Sequence, residues 1–202
     1  ESVMDAEAVQ ATEAKHVVIA TGATWRRNGL GRSSPVPVPS YEDQRTFTPN
    51  DIMEGMRPAG HVVVYDDDHF YMAASIALLL AGEGLPVTYV TSDGGVASFS
   101  SHTEEQGRTH LALVERGVAI IVNQQVSGLL PGEAELACSF TGKRTRIACD
   151  GFVPVTSRAP NDDLWRALKG AHGLPLHCIG DCNAPGIIPQ TRSRNGQASS
   201  AG

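Results

Sequence analysis

The sequence predicts an α/β protein, with a βαβαβ half-sheet of the doubly wound parallel kind followed by a three-stranded antiparallel meander. Two observations and one rule of chain connection predict it. Between residues 61 and 122, apolar runs of strand length alternate with runs of helix length, and Gly84 and Gly117 fall where each helix should stop. Beyond that point the period drops to two in "QQVSGLL", "EAELACSF" and "RTRIACD", with Pro131-Gly132 and Thr141-Gly142-Lys143 as turns. The right-handed crossover rule then leaves few other ways to connect the first three strands.

Taken in order, residues 5–14 are rich in Ala and Glu and suit a short helix, and "HVVIATGA" (16–23) reads as a buried strand entering a Gly turn. Residues 24–49 alternate Pro, Gly, Ser and Arg, the composition of a loop or linker. Thr48 is placed to cap a short helix with Pro49 at its first position. A strand at 61–65, a helix at about 70–83 and a strand at Val87–Thr91 follow, then a helix near 103–115 and a strand at Val118–Val122. After the meander, "GFVPVTSR" returns to the sheet, where Pro154 is tolerated only at an edge. A helix at 162–169, a strand at 176–180 and a polar tail, "TRSRNGQASSAG", expected to fray, complete the chain.

A chain of 202 residues can bury the core of one ordinary domain or two small ones. Its net charge of −6 argues against nucleic acid or an anionic membrane as partner. No apolar run reaches the roughly 18–20 residues of a membrane span. The N-terminus has no signal-peptide pattern and no initiator Met, so the expectation is a piece cut from a longer cytoplasmic protein. Of the four cysteines, at 138, 149, 178 and 182, only Cys178 and Cys182 are close, and their spacing is not C-x-x-C. Reduced thiols are expected, with no metal site or disulfide framework.

The stretch "VVVYDDDHFYMAAS" poses the functional question. A phosphate-binding βα turn works through free backbone N–H groups, the positive end of a helix, and glycines that admit pyrophosphate. Here Asp66, Asp67 and Asp68 stand in that turn. At 4 Å each carboxylate–phosphate pair costs on the order of 1 kcal/mol in water and about 4 at an effective dielectric of 20. The second strand also ends in Thr91-Ser92, without the acid that grips a ribose. The aspartates therefore read as a helix cap, with a divalent-metal cluster as the alternative. NADH and NADPH are not expected to bind, and replacing Asp66 and Asp68 by Gly is expected to improve nucleotide affinity. The seven histidines are scattered without a triad, so no catalytic residue is assigned; Arg26, Arg27 and Arg32 lie in the linker, within reach of a phosphate or in solvent.

The order of "HVVIATGATWRRNGLGR", "VVVYDDDHFYMAASIALLLAGEGLPVTYVTS", "FVPVTSR" and "CIGDCNAPG" resembles the two-dinucleotide-domain flavoproteins related to glutathione reductase. More closely, it resembles the C-terminal part of the trimethylamine dehydrogenase, histamine dehydrogenase and 2,4-dienoyl-CoA reductase family of iron–sulfur flavoproteins. The resemblance implies a Rossmann-like FAD/NAD(P)-binding domain of glutathione-reductase type at 56–155, inserted in a partial flavin-type domain formed by 1–50 plus 156–202. It implies an adenine nucleotide, ADP or FAD, near Ala20, Thr21, Gly22, Gly180 and Asp181, with Asp181 facing its hydroxyls and a helix start at 184–188 facing its pyrophosphate. The FMN and iron–sulfur cluster belong to a part of the family not represented here, so the isolated chain is expected to carry no cofactor and to be inactive alone. It reads as a nucleotide-binding or structural module for electron transfer, and an exposed apolar patch is expected to make it associate with itself. An NAD(P)H-dependent reductase and a scaffold with a vacant nucleotide fold are the alternatives.

Overall fold

The computed structural model describes residues 4–169, 175–186 and 194–195. In chain order its first elements are helix α1 (Ala6–Ala11), strands β1 (Val17–Ile19) and β2 (Ala23–Trp25), helix α2 (Pro49–Met53), strand β3 (Val62–Asp66), helix α3 (Tyr71–Gly82) and strand β4 (Val87–Thr91). There follow helix α4 (Gln106–Glu115), strands β5 (Ala119–Ile121), β6 (Gln124–Leu130), β7 (Glu133–Cys138), β8 (Arg144–Ala148), β9 (Gly151–Val155) and β10 (Arg158–Pro160), helix α5 (Asp163–Leu168) and strand β11 (Leu176–Cys178). Two compact units result, Glu1–Thr24 with Arg158–Gly202 and Trp25–Ser157.

In the larger unit the parallel sheet is open, with strand order β5-β4-β3-β9. All five residues of β3, β4 and β9 are buried, because both sheet faces are covered. Strand alternation sorts them. Val62, Val64 and Tyr89 lie against Ala73, Ile76, Ala77 and Leu80 of α3, while Val63, Tyr65, Val90 and Phe152 lie against Val126, Leu129 and Leu136 of the meander β6-β7-β8. Pro154 sits on edge strand β9. Phe152 donates its N–H outward to the Arg45 carbonyl at 2.8 Å. Two residues on, the proline nitrogen faces the same outer side, so its missing donor costs no ladder bond.

The linker expected at 24–49 differs from a free loop, and residues 25–50 stand with the larger unit rather than with residues 1–24. Tyr41 explains this. It is 1% exposed, its ring meets Phe152 edge-on at 4.6 Å, and its hydroxyl donates to the Val126 carbonyl at 2.7 Å. Burying an aromatic of this size between sheet and meander fixes the segment that carries it. Thr48 caps α2 as its position suggests, accepting from Asp51 N–H at 3.2 Å while the Asp51 carboxylate accepts from Thr48 N–H at 2.7 Å. Asp51 also pairs with Arg27 at 2.7 Å.

In the smaller unit β1 and β11 pair in parallel, from Val17 with Leu176 to Ile19 with Cys178. Residues 194–195 pair antiparallel with β11. Val9, Ile19, Leu168, Cys178 and Cys182 form its core. Asp5 caps α1 by accepting from Ala8 N–H at 2.8 Å. The polar tail from residue 191 lies outside the described residues apart from the 194–195 pairing. Among the described residues no helix is long and apolar enough to cross a membrane.

Candidate functional site

The turn after β3 lies at the carboxyl end of the parallel sheet, where ligands of open α/β sheets bind. None of Asp66–Asp68 stands at the N-cap position expected of them: α3 starts at Tyr71 and its N-cap is Phe70, whose side chain makes no capping hydrogen bond. The strand runs on through Asp66, and the turn closes on itself. Asp67 and Asp68 donate their N–H groups to the Val155 carbonyl at 2.9 and 3.0 Å. His69 donates its N–H to the Asp66 carboxylate at 2.8 Å, in a left-handed conformation (φ 66°) that His adopts more readily than most residues. The backbone donors of residues 67–69 are thereby committed within the chain.

The two buried carboxylates go to opposite faces. Asp66, 0% exposed, accepts a short hydrogen bond from the Tyr89 hydroxyl, which in turn accepts from Ala97 N–H at 3.1 Å. Burial pushes the Asp66 carboxyl up to about 7 against the opposing Tyr89 and His69 hydrogen bonds, and the neighbouring Asp68 and Asp67 charges raise it further. Asp67, 1% exposed, accepts from Ser33 N–H at 2.9 Å, from the Ser33 hydroxyl at 2.5 Å and from the Ser92 hydroxyl at 3.1 Å. Gly31 lets this loop close in: a Cβ there would stand 2.4 Å from Asp67 Oδ2 and 2.9 Å from Thr156 Cβ.

His69 fills the gap between them, its ring nitrogens 4.0 Å from Asp66 Oδ2 and from Asp67 Oδ1. Burial holds it below its ordinary value although Asp67 and Asp93 pull it upward. Phe99 packs edge-on against it at 5.6 Å, and Arg32 lies over Phe99 at 4.8 Å rather than facing an open phosphate site. Ser33, Gly31, Tyr89 and Ser92 were not singled out in the sequence. They lie 23 or more residues from their aspartate partners, and only the Thr91-Ser92 strand end marked the spot. Among the described residues no group of three or more His, Cys, Asp or Glu is placed to hold a metal ion.

The other candidate residues stand in the smaller unit. The pairing of β1 with β11 brings Ala20-Thr21-Gly22 and Gly180-Asp181 to the same end of that parallel pair, and Ile179 N–H donates to the Ile19 carbonyl at 3.0 Å. Gly22 and Gly180 both take positive φ, 76° and 66°, and no atom lies within 4 Å of where their Cβ would be. They permit turns rather than a close approach. The Thr21 hydroxyl donates to the Asn161 carbonyl. Asp181 pairs with Arg158 at 2.5 Å and accepts from Gly186 N–H at 3.3 Å. Gly180 opens a short 3-10 turn, Gly180–Cys182, and the helix start expected at 184–188 falls partly on Ile187 and Ile188, outside the described residues.

A parallel α/β layer whose first βα turn is sealed by its own loop defines an α/β domain that holds together through internal polar contacts at the ligand end of its sheet. Residues 47–165 match the model of the OYE-like second alpha/beta domain, and the chain belongs to that family. Dimethylamine dehydrogenase of Hyphomicrobium sp. (strain x) is 28% identical over 92% of this chain and 29% of its own length. The structure of histamine dehydrogenase from Rhizobium sp. 4-9 matches with a TM-score of 0.88 at 39% identity, over 93% of this chain and 30% of that one. That of 6-hydroxypseudooxynicotine amine oxidase from Pseudomonas geniculata N1 matches with 0.89 at 35%, over 94% and 29%. The chain thus spans less than a third of these relatives.

The resemblance to the trimethylamine and histamine dehydrogenase family holds, but the matched region is an OYE-like second α/β domain rather than a C-terminal nucleotide-binding part. The expectation of a Rossmann-like FAD/NAD(P)-binding domain of glutathione-reductase type is corrected by the same match. Its physical counterpart is the turn at 66–69, which spends on Val155 and Asp66 the donors a dinucleotide would need.

Proposed function

We propose that this chain is the second α/β domain of an amine-oxidising flavoenzyme and serves there as a structural module, without a catalytic residue of its own. The observation that carries the reading is the sealed turn, in which the backbone donors of residues 67–69 are taken within the chain and Asp67 grips Ser33. The amine-oxidising part rests on the dehydrogenases and the amine oxidase that the chain matches. FMN and an iron–sulfur cluster are expected in the remainder of such an enzyme, and no residue of this chain is assigned to hold them. The test is to express the gene's full reading frame and assay oxidation of dimethylamine and histamine with an artificial electron acceptor. Amine-dependent reduction is expected, with Asp67→Ala lowering the melting temperature while leaving kcat of the folded enzyme unchanged. An enzyme that oxidises no amine, or whose kcat collapses in the folded variant, overturns the proposal.

A second reading concerns Ala20, Thr21, Gly22, Gly180 and Asp181 as part of a site for an adenine nucleotide, ADP or FAD. The register of β1 with β11 favours it, since both turns reach one end of that pair. Asp181 keeps lone pairs beyond those used by Arg158 and Gly186. ADP should raise the melting temperature of the full enzyme, and Asp181→Ala should weaken that effect at least tenfold in ADP concentration. No shift at millimolar ADP discards this reading.

A further inference from the structure

Two thiols in the smaller unit have no part in either reading. Cys178 ends β11 and Cys182 closes the 3-10 turn after it, and their sulfurs lie 3.3 Å apart. The turn between them depends on Gly180 at φ 66°, with open space on its Cβ side. The Cys182 sulfur is held in place by the carbonyls of Ile179 at 2.9 Å and Ile19 at 3.1 Å. A disulfide bond is about 2.05 Å long, so closing the pair needs each sulfur to move only about 0.6 Å, which side-chain rotation and the unencumbered glycine can supply. Both cysteines line a small cleft with Asp162, Trp165 and Asn183, whose volume of about 10 Å3 is room for a single water-sized molecule. Each cysteine is itself only 1% exposed, so an oxidant reaches the pair only when the cleft opens, which favours a small oxidant over a bulky one.

The other two cysteines have no such arrangement. Cys149 is buried, and burial pushes its thiol up to about 11, which leaves almost no thiolate at neutral pH. Cys138 is half-buried, and hydrogen bonds from Thr141 and Phe140 hold its thiol below the ordinary value. It is the competitor that a test must remove.

We propose that Cys178 and Cys182 form a redox-convertible dithiol, a modification site whose substrate is a small hydroperoxide. One cysteine, as thiolate, attacks an oxygen of hydrogen peroxide. The O–O bond breaks, that sulfur becomes a sulfenic acid, and hydroxide leaves to take up the proton the thiol had lost. The second thiol attacks the sulfenic sulfur, the S–S bond forms, the S–O bond breaks, and the hydroxyl departs with the second thiol's proton as water. Two thiols and one peroxide give one disulfide and two waters, with two electrons passing from sulfur to oxygen. The product is a staple with Ile179, Gly180 and Asp181 inside its loop, which ties the conformation of that turn to redox state.

The experiment uses the whole chain carrying Cys138→Ser, reduced, freed of reductant and exposed to one equivalent of hydrogen peroxide. It is then denatured and alkylated with N-ethylmaleimide. The expected result is a fall from three alkylated thiols to one, a mass lower by two hydrogens in the peptide spanning 178–182, and full recovery with dithiothreitol. In Cys178→Ser or Cys182→Ser the remaining thiol should stop at the sulfenic acid and be trapped by dimedone. If the two thiols both remain alkylatable after peroxide, or if oxidation gives only sulfinic acid or disulfide-linked dimers, the proposal fails. The peptide mass of the parent chain decides the matter even where a serine variant does not fold.

Discussion

Replacing Asp66 by Asn should change how the stability of the larger unit depends on pH. In the folded chain the Asp66 carboxyl is pushed up to about 7, chiefly by burial. In an unfolded chain an aspartate titrates near 3.9. The folded state therefore binds the proton more tightly, and between those two values it holds a proton that the unfolded state has released. Stability is complete below about pH 4, declines as pH rises toward 7, and levels off above it. Three pH units at 1.36 kcal/mol each make the full span about 4 kcal/mol, of which about 2–3 kcal/mol falls between pH 5 and pH 8. Asparagine abolishes this slope at a fixed cost. Its Oδ1 can still accept from His69 N–H, but its amide turns a donor toward the Tyr89 hydroxyl, which loses its acceptor, a penalty of about 1–3 kcal/mol. The variant should thus be clearly less stable at pH 5 and gain about 2–3 kcal/mol on the parent by pH 8. Urea unfolding at both pH values measures this. Trp25 packs against the helix-side core and reports the larger unit if Trp165, which packs in the smaller one, is first replaced by Phe. His69 and the other aspartates are present in both proteins, so their titration largely cancels. A gap between parent and variant that stays constant from pH 5 to pH 8 would refute the reasoning.

Two further substitutions probe the seal itself. Asp67→Ala removes the acceptor of the Ser33 N–H, the Ser33 hydroxyl and the Ser92 hydroxyl at once, and should cost about 3 kcal/mol in the same urea assay. Gly31→Ala forces a methyl group to 2.4 Å from Asp67 Oδ2 and should cost about 1–3 kcal/mol. In the Asp67→Ala background most of that cost should vanish, and equal costs in the two backgrounds would show that Gly31 and Asp67 do not meet.

The sequence was most legible where a structural choice is made locally. Strands buried on both faces read as unbroken apolar runs, so β3, β4 and β9 lie close to where their residues suggest, and a Thr-Pro-Asn-Asp segment caps a helix with groups three residues apart. The edge position of Pro154 followed from the missing donor alone. What stayed hidden depends on distant partners. Nothing near Asp67 announces Ser33, 34 residues upstream, and nothing near Asp181 announces Arg158, 23 residues away. The seal between Gly31 and Asp67 is a packing fact, written in no period or spacing. The fold-class assignment failed at the same place, because a strand–turn–helix pattern looks alike whether its turn is open to a ligand or filled by a loop.

That seal also reverses one expectation about the aspartates. If charge repulsion alone kept a dinucleotide out, replacing Asp66 and Asp68 by Gly would restore a glycine-rich turn and raise NADH affinity. The structure gives two reasons why it should not. The N–H groups of residues 67 and 68 are bonded to the Val155 carbonyl, an arrangement that side-chain removal leaves untouched. Asp67, which the double variant retains, still holds the Ser33 segment in place. Meanwhile the Tyr89 hydroxyl and the His69 N–H both lose the carboxylate they share, and two additional glycines widen the unfolded ensemble. The expected outcome of Asp66→Gly with Asp68→Gly is a loss of about 3 kcal/mol or more and no gain in binding. Calorimetric titration of the folded variant with NADH checks it. A dissociation constant below about 100 μM, corresponding to roughly 5 kcal/mol of binding, would mean that the carboxylates and not the loop close the site.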